Sequence, residues 1–192
     1  MSARLIIMGP QGSGKGTQAA RLAERIGVPA ISTGDIFRAN VKGGTELGRR
    51  AKVIMDAGNL VPDELTNAMV GDRLAAPDAA GGFILDGYPR TADQVMALDK
   101  LLAEAGVGLD AVVELTAPRD DLMVRLRQRA GLEGRDDDTE DAISRRLAIY
   151  AQQTAPLTRG YAERDLHVSV DGMGEVAEVT ERVLAALAAH IG

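Results

Sequence analysis

The chain has 192 residues, 45% of them hydrophobic and only 3% aromatic, which suits one compact domain with an aliphatic core and an inserted segment or two. Its formal net charge of −6 argues against a nucleic-acid or membrane-surface protein, both of which need a broad basic face. There is no cysteine, so disulfides and thiolate zinc sites are excluded. No stretch has the flanks of a secretory signal or the length of a membrane span, and the expectation is a cytoplasmic enzyme. Basic residues are lopsided, with 18 arginines against four lysines, a bias that suits bidentate contacts to phosphate or carboxylate.

In chain order, the first strand candidate is Leu5–Met8, followed by a helix with apolar Ala19, Leu22, Ala23 and Ile26 at helical spacing. A second strand is expected at Pro29–Ser32. Residues 34–75 carry no strand signal and read as three short helices punctuated by Gly43-Gly44, Gly58-Asn59 and Pro62. Further strands are expected at Phe83–Asp86, Ala111–Leu115 and His167–Asp171. The segment 131–138 (GLEGRDDD) reads as a charged loop between two helices, the second with Ile143, Leu147 and Tyr150 on one face. Val176, Val179, Val183 and Leu187 mark a final helix. Strands alternating with helices imply a parallel sheet covered on both faces. The segments 34–75 and 131–138 read as attachments to that sheet, able to move.

The strongest motif is Gly9-x4-Gly14-Lys15, placed after a strand and before a helix as a phosphate loop requires. Glycines let backbone N–H groups turn inward, the helix adds its positive end, and Lys15 would reach the β- and γ-phosphates. The hydroxyl residue that usually follows the lysine is displaced by one place, with Gly16 next and Thr17 after it.

Gly14-Lys15-Gly16-Thr17-Gln18 resembles the loop of adenylate kinases and their nucleoside monophosphate kinase relatives. Ser32-Thr33-Gly34-Asp35-Ile36-Phe37-Arg38 resembles the start of their monophosphate-binding segment, and Asp86-Gly87-Tyr88-Pro89-Arg90 their Asp-Gly-aromatic-Pro-Arg signature. Arg135-Asp136-Asp137-Asp138, Arg145-Arg146 and Thr154-Ala155-Pro156-Leu157 resemble the segment following the lid. The resemblance implies an α/β fold: a P-loop NTPase core with a five-stranded parallel sheet and helices on both faces, a helical monophosphate-binding insertion and a short lid loop. The corresponding boundaries are core at 1–31, 62–127 and 139–192, monophosphate segment at 32–61, and lid at 128–138. Gln11 stands where relatives often carry proline.

The resemblance also implies roles. Gly12, Ser13, Gly14, Lys15, Gly16 and Thr17 would hold ATP, with Arg125 and Arg129 on the same side and Gly172 letting the ATP adenine approach the main chain. Arg125 and Arg129 are four apart on one helix and share a face. Arg38 and Arg90 would clamp the AMP phosphate, and Arg129, Arg135 and Arg146 would contact the phosphates being exchanged. The AMP side further takes in Thr33, Asn59, Leu60, Val61, Gly87, Tyr88, Pro89 and Gln94. Gln94 has a local alternative, because Thr91-Ala92-Asp93-Gln94 fits a helix capping box. Against that stands hydrogen bonding to adenine; pyrimidine-specific relatives tend to carry alanine and asparagine where Thr33 and Gln94 stand here. Asp86 with Thr17 would take Mg²⁺, partly through water, although a strand-end aspartate can also serve as a turn cap. Arg127 and Arg145 read as solvated, and His167 and His190 as structural.

No base candidate stands out, and phosphate acceptance needs none, since a phosphate monoester is largely dianionic above a second pKa of about 6. What it needs is relief of repulsion and in-line alignment, supplied by Lys15, Mg²⁺ and several arginines. The expectation is a monomeric enzyme of the adenylate kinase type, transferring phosphate reversibly from MgATP to AMP to give two ADP. The rivals are a UMP/CMP kinase and a nucleotide-binding regulatory module. A guanine-reading Asn-Lys-x-Asp or Thr-Lys-x-Asp run is absent. A lid this short covers little of the bound phosphates, which puts more of the water exclusion on closure of the AMP side.

Overall fold

The computed structural model describes residues 3–133 and 139–191, the side chains of 129–133 excepted. Five strands, β1 (Ala3–Met8), β2 (Ala30–Ser32), β3 (Gly82–Asp86), β4 (Ala111–Thr116) and β5 (His167–Asp171), form one parallel sheet in the order β2-β3-β1-β4-β5. The helices are α1 (Lys15–Ile26), α2 (Thr33–Lys42), α3 (Glu46–Asp56), α4 (Asp63–Leu74), α5 (Ala92–Glu104), α6 (Arg119–Glu133), α7 (Glu140–Ile149), α8 (Leu157–Ala162) and α9 (Val176–Leu187). One π-turn, Tyr150–Thr154, follows α7 directly.

Alternation along the strands divides the core. Leu5 and Ile7 of β1, Ile84 of β3 and Val113 of β4 pack with Leu22 of α1 and Val183 of α9 on one face. Ile6, Met8, Phe83, Leu85 and Val112 point the other way, against Val70 of α4, Leu98 of α5 and Tyr161 of α8. Thus α4, which the pattern of 34–75 groups with an attachment and the boundaries implied by resemblance put in the core, belongs to the layer that covers the sheet. Helices α2 and α3, with Val61 of the following connection, build a separate small core from Phe37, Ala51, Met55 and Val61, and α6 and α7 build another from Leu122, Leu126, Ile143 and Leu147. Helices α2 and α3 cross closely at Gly48, where a Cβ would come within 2.1 Å of the Asn40 carbonyl oxygen.

The start of the expected 131–138 loop is helical, because α6 continues through Glu133. A single glycine such as Gly131 costs a helix about 1 kcal/mol and does not end it. Residues 134–138, five of the eleven positions of the expected lid, lie outside the described residues. The sheet order reverses at β1, so the loop leaving its carboxyl end opens into a crevice between neighbouring crossovers.

All three tyrosines are buried or half-buried, and burial pushes each phenol up from its ordinary value near 10. Tyr88 reaches about 12, with Asp63 adding to the effect. Tyr150 rises further beside Glu114, and Tyr161 lies under Asp99 and the opposing Arg164. Above about pH 10 the unfolded chain would release these protons while the folded one keeps them, so stability falls as pH rises toward the folded values. The expected outcome of an alkaline titration is tyrosinate absorbance appearing together with loss of far-ultraviolet circular dichroism. Tyrosinate at about pH 10 in a chain that keeps its dichroism would contradict it.

Candidate active site

The first glycines after β1 carry the loop through conformations that other residues resist. Gly12 and Gly14 have φ of 86° and 90°, and a Cβ on Gly12 would press to 3.0 Å from Leu126. Gly14 is the N-cap of α1, with no side chain satisfying the cap and no acidic residue in the first turn. The first N–H groups and positive end of α1 are therefore left for an anion. Lys15 begins this helix, with its Nζ 3.4 Å from the Pro10 carbonyl.

Asp86 closes β3 opposite the loop. Its Oδ1 is buried and has no hydrogen-bond partner among the described residues, and a Cβ on Gly16 would sit 3.4 Å from its Oδ2. Gly16 in place of the usual hydroxyl residue thus keeps the carboxylate's flank open. An orphaned acceptor beside a phosphate loop, with Thr17 exposed on the first turn of α1, fits a hydrated Mg²⁺ carried by nucleotide phosphates. Among the described residues, no group of three or more acidic or histidine side chains could cage a metal by itself. A metal here would depend on phosphate oxygens.

Two cavities meet at this point. One is lined by Thr33, Arg38, Asn59, Leu60 and Val61 from the α2–α4 side, and by Gly87, Tyr88, Pro89, Arg90, Gln94 and Arg146 from the core side. The other takes in Gly12, Gly14, Thr17 and Arg125. Lys15, Gly16, Ser32, Asp35 and Asp86 line both. Ser13 and Gly172 line neither. The Ser13 hydroxyl is buried without a partner among the described residues, and a Cβ on Gly172 would meet the Ser13 carbonyl at 3.0 Å. The small residue at 172 is therefore required by packing of the phosphate loop on the end of β5, a reason not visible in the sequence. Arg125 donates to the Gly172 carbonyl at 3.3 Å and so ties α6 to that loop. Arg135 and the side chain of Arg129 lie outside the described residues.

The first cavity is cationic and tightly held. Arg90 Nε donates to the Gly87 carbonyl at 2.7 Å, and the Thr33 hydroxyl donates to the same oxygen at 3.0 Å. Gly87 has φ 81°, and a Cβ there would lie 2.9 Å from both Arg90 Nη2 and Thr33 Oγ1. The Thr154 hydroxyl, on the π-turn, holds the Arg90 carbonyl at 2.9 Å. Burial pushes the Arg90 guanidinium below its ordinary value; Asp86 opposes this, while Arg146 and Arg38 add to it by repulsion. Such a cluster of like charges is a site prepared for a polyanion. Arg38 is paired with Asp35 at 2.5 Å, and Arg146 Nη2 donates to the Met55 carbonyl at 2.9 Å.

Several residues passed over in the sequence take part. Arg145, read as solvated, is exposed but reaches Asn59 Oδ1 at 3.3 Å, and a Cβ on Gly58 would meet the Ala142 carbonyl at 2.7 Å, so α7 rests on the α3–α4 connection. Tyr150 and Thr154 line the first cavity, and Tyr150 donates to Glu114, whose other oxygen contacts His167 at 2.9 Å. Arg127 pairs with Glu140 at 3.3 Å on the surface. Gln94 does not close a capping box. Thr91 Oγ1 accepts from the Gln94 N–H, but the Gln94 side chain turns inward to Arg90 and Asp63. The signal for Asp63 was a plain acidic residue at a helix start, which any helix can carry.

The family model described as adenylate kinase matches residues 7–166. Curated relatives with the same name include one from Kocuria rhizophila, 60% identical over 96% of this chain and 98% of its own length. Another, from a Nocardioides species, is 61% identical over 96% of both chains, and one from Thermobifida fusca is 52% identical over 96% of this chain and 97% of its own. With the phosphate loop, the Asp86–Arg90 turn and the arginine-lined cavity in one crevice, these matches agree that the chain belongs to the adenylate kinase family.

Proposed function

We propose that this chain transfers the γ-phosphoryl group of MgATP to the phosphate of AMP, giving two ADP, with Lys15, Arg38, Arg90, Arg125, Arg129, Arg135 and Arg146 as the charge-bearing residues. The observation that carries this reading is the shared wall of Lys15, Gly16 and Asp86 between two cavities. A donor phosphate chain on the loop side and an acceptor phosphate on the arginine side would meet there.

On the donor side, the N–H groups of Gly12–Thr17 would cradle the triphosphate and Lys15 would follow the transferred group. Asp86 and Thr17 would hold Mg²⁺, which when bound neutralises charge between the β- and γ-phosphates. On the acceptor side, Arg38 and Arg90 would fix the AMP phosphate in line. Thr33, Gln94 and the 59–61 backbone would hold its base. No base is required of the protein, because the dianionic acceptor attacks unaided once repulsion is cancelled. The segment 32–61 would close over AMP and the 128–138 lid over ATP, excluding water. The monomeric, cytoplasmic state inferred from the sequence is part of this proposal.

The test is ADP formation from MgATP with AMP, UMP, CMP, GMP or shikimate offered as acceptor. The expected result is rapid turnover with AMP and little with the others. Preference for UMP or CMP would keep the arginine clamp and overturn the base assignment. ATP binding without transfer to any acceptor would overturn the enzyme reading.

A further inference from the structure

The Gln94 amide sits in a polar arrangement that allows one orientation. It is buried, 2% exposed. Its Oε1 accepts from the backbone N–H of Arg90 at 2.8 Å, and its Nε2 donates to Asp63 Oδ1 at 2.6 Å. A backbone N–H can only donate and an ionised carboxylate can only accept, so turning the amide over would set donor against donor and acceptor against acceptor. Asp63 is itself held. Its second oxygen accepts from the Thr91 hydroxyl at 2.7 Å, and the residue opens α4, while Thr91 caps α5. The carboxylate thus bridges two core helices and locks the amide between them.

Each amide atom keeps one further hydrogen-bonding position, a second N–H on Nε2 and a second lone pair on Oε1. Adenine offers N1 as an acceptor beside an N6 donor, which this order of groups matches. A 6-oxopurine offers N1–H beside O6, the reverse order, which the same amide could match only after turning over.

We propose that Asp63 is a specificity-determining positioning residue: by accepting from Gln94 Nε2, while the Arg90 N–H holds Oε1, it completes the pair of contacts that keeps the amide in the orientation that reads 6-aminopurines and rejects 6-oxopurines. This rests on the reading of Gln94 as a contact to the AMP base. Asp63 acts through Gln94 and touches no reacting atom. A charge-assisted hydrogen bond at a buried amide is strong enough for its loss to change discrimination by roughly tenfold.

The test compares kcat/KM for AMP and for IMP, which differ only at the N1/C6 edge, with saturating MgATP. The chains are the parent, Asp63→Asn, Asp63→Ala and Gln94→Ala. Asp63→Asn keeps the shape and the Thr91 contact while accepting either amide orientation. Asp63→Ala removes the acceptor altogether. The expected result is an IMP-to-AMP ratio raised about tenfold in both Asp63 variants, with KM for ATP close to that of the parent and the thermal midpoint lowered, more in Asp63→Ala than in Asp63→Asn. A parental ratio in both Asp63 variants, with discrimination abolished by Gln94→Ala, would overturn the role of Asp63 and leave the base reading standing. Parental discrimination in Gln94→Ala would overturn the base reading and this inference with it. Equal loss with both acceptors at the parental IMP-to-AMP ratio, accompanied by a raised KM for ATP, would make Asp63 merely structural and also overturn it.

Discussion

Arg90→Met should lower kcat/KM for AMP by about a thousandfold while leaving the thermal midpoint unchanged or raised. The two effects have opposite causes in the same surroundings. Arg90 stands among Arg38 and Arg146 with its guanidinium pushed down by burial, so the ligand-free protein bears a cost for that charge. Methionine fills the aliphatic path and removes the repulsion, at the expense of the hydrogen bond to the Gly87 carbonyl. With AMP present the sign reverses, because the same charge is what cancels the acceptor's. Arg90→Lys should recover little, since the donors of one ammonium lie on a single atom and cannot reproduce a guanidinium that holds Gly87 through Nε and leaves its Nη groups for a phosphate. Steady-state kinetics and a melting curve on the same preparations check both halves. A loss under tenfold, or a sharply lowered midpoint, would contradict the account.

Lys15→Met should reduce kcat by roughly a hundred- to a thousandfold with a much smaller change in KM for ATP. The loop's grip on the triphosphate comes largely from backbone N–H groups shaped by Gly12 and Gly14 and from the uncapped start of α1, none of which depends on the lysine side chain. The lysine instead stands where both cavities meet, where charge moves during transfer. An interaction felt equally by substrate and transition state would appear in KM alone. If Lys15→Met raised KM for ATP and spared kcat, the lysine would be a binding residue only.

The strands were legible because β-branched and apolar runs such as Leu5–Met8 and Ala111–Leu115 leave few alternatives, and each lies within two residues of its observed limits. The phosphate loop was legible because its glycines are needed where they stand. The arginine cluster was legible only through family resemblance, since nothing in the spacing of Arg38, Arg90 and Arg146 says that they share a cavity. Other features depend on distant contacts that carry no local pattern. Asp63 meets Gln94 across 31 residues, and the lack of room at Gly172 comes from Ser13 and Thr116. The local pattern of α4 did not set it apart from the two helices before it, because its few buried apolar residues, such as Val70, give only a weak stripe; the core boundary at 62 came from the family resemblance alone. Helix α6 ran past its expected end because Gly131 weakens a helix without terminating it.

The central claim is that charge and alignment suffice, without a protein base. The two histidines of the chain lie outside both cavities, His167 against Glu114 and His190 beyond α9, and there is no cysteine. The most direct test is kcat/KM for AMP measured from about pH 5 to about pH 9, repeated with adenosine 5′-monothiophosphate, whose phosphate ionises at lower pH. The account predicts one acidic limb near pH 6 for AMP that moves down with the thiophosphate, then a plateau. A limb that stays in place with both acceptors would belong to a group on the protein and would contradict it.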